Sequence, residues 1–172
     1  VLVSNIEIDK LANGSAEVIE QTLKLEYCAV GVVSDGGIRS FSKSQALNIQ
    51  RVGKALADTQ LFQEATILAE WQPHGHEGAI KTVLREANVA ALTQLGQTSS
   101  GNAALGYLIV GEKKSGNPFT SNDKRTLDTV SKELSIAIQN ALHYEEIQNF
   151  NQTLQARVDD ATRKLRRTNQ RL

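Results

Sequence analysis

The chain has 172 residues, a formal net charge of zero and 40% hydrophobic residues, the profile of an ordinary globular protein with room for one domain and an appendage. The charge balance argues against a chain built to bind nucleic acid. The single cysteine, Cys28, excludes an intramolecular disulfide and fits a reducing, cytoplasmic compartment. No apolar run reaches the about 18–20 residues of a membrane span, so no membrane contact is expected of this piece. A start at Val1 rather than Met is expected of a fragment, and a membrane segment upstream in a parent protein is compatible with it.

The spacing predicts a helix over residues 9–25, with Leu11, Val18 and Leu25 on one line and Ile19 and Leu23 beside it. Residues 27–34, YCAVGVVS, read as a strand. Asp35-Gly36-Gly37 is a tight-turn signal, and residues 38–42 are the returning partner. A second helix is expected over residues 45–59 and a short strand over 65–71. Pro73-His74-Gly75-His76 is a loop, and residues 77–86 form one to two helical turns. Residues 88–97 and 104–113 form a second hairpin around TSSGN. The stretch ALGYLIVGEK is apolar at consecutive positions, which requires cover on both faces of the sheet.

Thr120-Ser-Asn-Asp123 has the form of a capping box, with Pro118 just before it. From there no Gly or Pro interrupts the chain up to Leu172, which predicts a helix far longer than usual. Leu127, Val130, Leu134, Ile138 and Ala141 form a stripe facing the sheet. On the other side Ile136, Asn140, His143, Ile147, Phe150 and Leu154 recur, followed by Val158, Ala161, Leu165, Thr168 and Leu172. Alternating steps of three and four make a coiled-coil seam, so one side of the helix serves the domain and the other a partner. Phe150, Leu154 and Val158 are separated by two successive steps of four. This is a stutter, which locally unwinds a heptad coil. A strict heptad would place Asn151 in the seam instead of Phe150. The pairs Asp159/Arg163 and Asp160/Lys164 support the helix at i,i+4. From Ile147 to Leu172 six basic residues stand against Asp159 and Asp160, and cations near a helix C-terminus suit its dipole.

The order helix, hairpin, helix, strand, loop, hairpin, long helix resembles a GAF domain. The residues that carry the resemblance are Gly106-Tyr107-Leu108, Pro118-Phe119-Thr120 with Asp123, and Ala137-Ile138-Gln139-Asn140-Ala141 with Tyr144. It covers about residues 5–147, and the middle, residues 44–86, is only loosely similar. The tail, Leu154-x-x-Arg157-Val158, Ala161-Thr162-x-x-Leu165 and Thr168-Asn169-x-x-Leu172, resembles the linker before the phosphoacceptor domain of bacterial sensor histidine kinases. That pattern usually has a basic residue where Ala161 stands, and diguanylate cyclases and other output enzymes use similar linkers.

The resemblance implies an α+β fold: an antiparallel five- to six-stranded sheet flanked by helices, with a long C-terminal coiled-coil helix. It divides the chain into a sensor domain, residues 1–147, and a signalling linker, residues 148–172. It implies a regulatory module that binds a small molecule or partner and relays its state through a homodimeric helix. Its ligand pocket would lie on the sheet face away from the terminal helices, under residues 44–86 and near Trp71 and the His74/His76 loop.

The machinery of a kinase is absent. His143-Tyr-Glu-Glu-Ile lacks the arginine and proline of a phosphoacceptor helix pair, and no Gly-rich ATP box follows. His74 and His76, two apart, are weak candidate metal ligands that Glu77 or Cys28 would have to complete. Cys28 lies between apolar neighbours and reads as a core residue, although GAF sulfoxide reductases form an alternative class; their chemistry uses several cysteines. Of the Asn-Lys, Phe, Asp-Glu pattern of cyclic-nucleotide GAF domains, Lys113, Phe119 and Asp123 match, while Glu112 and Lys124 depart from it. Helix capping and a Lys113–Asp123 pair account for the matches. No motif indicates a cofactor.

Overall fold

A computed structural model describes residues 2–34, 37–41, 46–57, 59–98, 101 and 103–171. The strands β1 (Cys28–Ser34), β2 (Gly37–Phe41), β3 (Thr66–Ile67), β4 (Ala91–Gln97) and β5 (Ala104–Val110) form one sheet in the order β2-β1-β5-β4-β3. All neighbours are antiparallel, with Val30 opposite Leu108 and Gln94 opposite Tyr107. The expected α+β architecture holds, with five strands.

All seven residues of β5 are buried, as its unbroken apolar run requires. Its side chains divide between two cores. Leu108 and Val110 join Cys28, Val30, Val32 and Leu95 on one face. Tyr107 and Ile109 join Ala29 and Leu92 on the other. The first face is covered by α1 (Leu2–Leu23) and α4 (Ser121–Asn169), which pack on each other. The second is covered by α2 (Ala46–Leu56) and α3 (Glu77–Glu86).

Gly106, the glycine of the Gly-x-Leu signature, has a steric cause. A Cβ there would lie 2.1 Å from the carbonyl oxygen of Gly31 on β1, a contact that only a shift of backbone could relieve.

Three expectations need correction. The first helix starts at Leu2 rather than residue 9, and its buried face is Ile8, Ala12, Ala16 and Ile19, not the Leu11–Val18–Leu25 line. Val18 is 62% exposed. Two of the buried positions are alanines, which a search for large apolar residues overlooks. Leu25 is buried beyond the helix end, bridged to Lys113, after Lys24 turns the chain at a positive φ of 52°. The strand expected over 65–71 shrinks to Thr66–Ile67. The N–H groups of Glu70 and Trp71 both bond the Ile67 carbonyl, folding the rest into a turn. The strand expected from residue 88 begins at Ala91, because Asn88, at φ 54°, ends α3. The turn at Asp35-Gly36 and the Ser99, Ser100 and Asn102 positions of TSSGN lie outside the described residues.

The stripe of α4 that faces the domain is as expected. Leu127, Leu134 and Ile138 are buried, Val130 and Ala141 are packed against the same core, and Ser131 joins them. Asp128 Oδ1 accepts the backbone N–H of Ala65 at 2.6 Å, fastening α4 to the start of β3.

Candidate functional site

The helix α4 runs unbroken for 49 residues. Its sheet-facing stripe ends at Ala141 and Leu142, and every described residue from Asn149 onward is exposed. The opposite stripe is open along its length. Ile136, Ile147, Phe150, Val158 and Leu165 are each more than half exposed, Leu154 is 44% exposed, and Asn140, His143, Ala161 and Thr168 are exposed with them. Leu172 lies outside the described residues. Large apolar side chains recurring on a solvated helix are a feature of surfaces that a partner can cover. Of the two supporting ion pairs, Asp160–Lys164 is present at 3.0 Å. Asp159 instead accepts from Gln155 Nε2 at 3.0 Å, so its partner lies one turn before it and not one turn after.

The start of α4 is locked. Thr120 Oγ1 accepts the N–H of Asp123 at 3.3 Å, and Asp123 Oδ2 accepts the N–H of Thr120 at 2.6 Å, the expected capping box. The same Oδ2 is 2.6 Å from Lys113 Nζ, which also lies over the Phe119 ring, 5.4 Å from its centroid. Partial burial raises the Asp123 carboxyl, but the hydrogen bonds from Lys113 and Thr120 outweigh it and hold the group below the ordinary carboxylate value. The three matches to the nucleotide-binding pattern therefore form a structural clamp.

The sheet face opposite α1 and α4 is packed with side chains. Tyr107 and Phe62 are each 1% exposed, and Trp71 meets Phe62 edge-on at a centroid distance of 5.0 Å. Tyr107 Oη donates to the carbonyls of Leu56 and Thr59 at 3.0 and 2.9 Å, tying the chain after α2 onto the sheet. Tyr27 Oη donates to the Ala87 carbonyl at 2.9 Å. Burial pushes both phenols up. Trp71 packs against this layer, on the face where the resemblance implied a ligand pocket.

His74 and His76 are both exposed, and His76 stands at the N-cap of α3 without a side-chain cap bond. Glu77 is occupied in accepting the backbone N–H of His74 at 2.8 Å. Cys28 is buried on the face toward α1 and α4. Among the described residues no cluster of three or more His, Cys, Asp or Glu could hold a metal ion. Burial, with Glu20 adding to it, pushes the Cys28 thiol up and away from the reactive thiolate.

A second feature had no motif to announce it. A cleft of about 660 Å³ opens where β3, α3, residues 88–90 before β4 and the loop before α4 converge. Its lining carries Lys81 and Arg85 from α3, Glu70 from the turn after β3, Glu112 from the segment after β5, and Lys113 and Phe119 from the loop. The i,i+4 spacing of Lys81 and Arg85 was the only available signal, and any solvated helix face gives the same one.

No protein-family model matches the chain, and no curated protein does. Solved structures do. A domain described as that of a two-component sensor histidine kinase protein from Sinorhizobium meliloti 1021 superposes with a TM-score of 0.55 at 14% identity, over 83% of this chain and 97% of that one. Residues 122 to 287 of a methyl-accepting chemotaxis protein give 0.53 at 14% identity, over 78% and 90%. A GAF domain/HD domain protein from Geobacter sulfurreducens gives 0.52 at 9% identity, over 79% and 94%. At these identities the likeness is one of fold, and the fold is GAF-like. No helix among the described residues is long and apolar enough to cross a membrane.

Proposed function

We propose that this chain is the regulatory GAF sensor module of a two-component sensor histidine kinase, a homodimer joined through parallel α4 helices. The observation that carries the reading is the exposed seam of α4, which runs from the domain-packed part of the helix far past it. A lone amphipathic helix of this kind gains from a partner that buries its stripe. An apolar groove between α1 and α4, lined by Leu11, Val18, Val130 and Ala137, adjoins the start of the seam and extends the surface a second copy would cover. Binding of a small molecule or partner to the domain would alter how the two domains pack and shift the paired helices. The relay requires the two packings to differ in affinity for that ligand. The chain itself supplies no catalysis in this scheme.

The same helix would serve another output, such as a diguanylate cyclase, and the likeness to a chemotaxis protein domain fits that breadth. A stand-alone sulfoxide reductase is disfavoured by the buried, raised Cys28. Light scattering at micromolar concentration tests the dimer: the expected mass is twice that of the chain, and a monomer with the tail intact would end the reading. In the parent protein, a His-Glu/Asp-x-Arg/Lys-x-Pro helix after Leu172 would identify the kinase.

A further inference from the structure

We propose that the cleft between α3 and the loop before α4 binds a small zwitterion of the amino-acid class, with its apolar part on Val89 and Phe119. Lys81 and Arg85 present two cations from one face of α3, and Glu70 and Glu112 present two carboxylates from the segments that follow β3 and β5. Among the described residues Arg85, Glu70 and Glu112 make no ion pair. Lys81 Nζ donates to the Trp71 carbonyl and lies 5.9 Å from the centre of the Trp71 ring, which holds it at the rim. Lys113 is already neutralised by Asp123.

An anion alone would meet Glu70 and Glu112, and a cation alone would meet Lys81 and Arg85. A molecule bearing both charges answers both, and like-charge exclusion gives selectivity as well as affinity. The volume lies within the range of small-molecule sites, and an apolar floor with a few charged groups at the rim is their usual construction. The floor is also the clamp of α4, since Phe119 and Lys113 line the cleft. A ligand seated on Phe119 therefore stiffens the first turn of the output helix. This gives the proposed sensor its input, but the site itself does not depend on the dimer.

Calorimetric titration of the full chain with L-phenylalanine and L-leucine tests the site. 3-Phenylpropionate and phenethylamine serve as probes with one charge each. Saturable binding of an amino acid is expected, weakened at least about tenfold when either charge is removed from the probe or when Arg85→Glu is introduced. Arg85 is exposed, so the variant should fold with the wild-type mass, its melting temperature lowered only by the small cost of an anion in the last turn of α3. Hydrogen exchange at the amides of residues 121–124 should slow with the bound amino acid. Absence of saturable heat at millimolar concentration would overturn the site, as would a one-charge probe binding equally well or an unaltered Arg85→Glu. Binding with unchanged exchange would overturn the link to α4. A monomer that binds L-phenylalanine would sink the dimeric relay and leave the site standing.

Discussion

Lys113 Nζ and Asp123 Oδ2 stand 2.6 Å apart, and both side chains are more than four-fifths buried. The pair joins the segment after the central strand to the first turn of α4. Asp123→Asn removes the ion pair and weakens the capping box, and should cost about 1–3 kcal/mol in urea denaturation near neutral pH. The folded carboxyl is held below its ordinary value of 3.8. Its contribution is therefore complete above that value and is lost as pH falls through the lower folded one. The gap between wild type and variant should be constant near neutrality and close in acid. A gap that persists unchanged into strong acid would contradict the assignment.

Gly106→Ala should destabilise the domain by about 2–4 kcal/mol, because the new methyl meets backbone rather than a movable side chain. Gly78→Ala is the contrast. It lies within α3 with open space around it, and should stabilise by up to about 1 kcal/mol. Both are measured by chemical denaturation, and similar effects at the two positions would refute the steric account.

Tyr107→Phe keeps the ring and deletes one hydroxyl, leaving the carbonyls of Leu56 and Thr59 without that donor. The expected loss is about 1–3 kcal/mol. Local hydrogen exchange after α2 should quicken with it. A neutral substitution would contradict this role, and the Leu56 carbonyl, which keeps the N–H and Oγ1 of Thr59, is the less affected of the two.

The proposed dimer makes a positional prediction, because its seam would step from Phe150 to Leu154 to Val158. In a Cys28→Ala background, Phe150→Cys should form an intermolecular disulfide readily under mild oxidation, and Asn151→Cys should not. The reverse order would establish a strict heptad across this stretch.

Local chemistry in the sequence determined a good part of this protein. The capping box at Thr120 and Asp123, the doubly covered strand ALGYLIV, the hairpin of Ile38 with Val33 and the uninterrupted α4 all follow from neighbours in the chain. Each is set by backbone sterics, hydrogen bonding or apolar period, which act over a few residues. Tertiary structure decided what depends on distant partners. It turned the α1 face from Val18 to Ala12 and Ala16, because contact with other elements, not side-chain size, selects the buried side. It reduced the third strand to two residues, since only Thr66 and Ile67 reach β4. It also gathered Glu70, Arg85 and Glu112 around one cleft, from positions that no spacing rule connects.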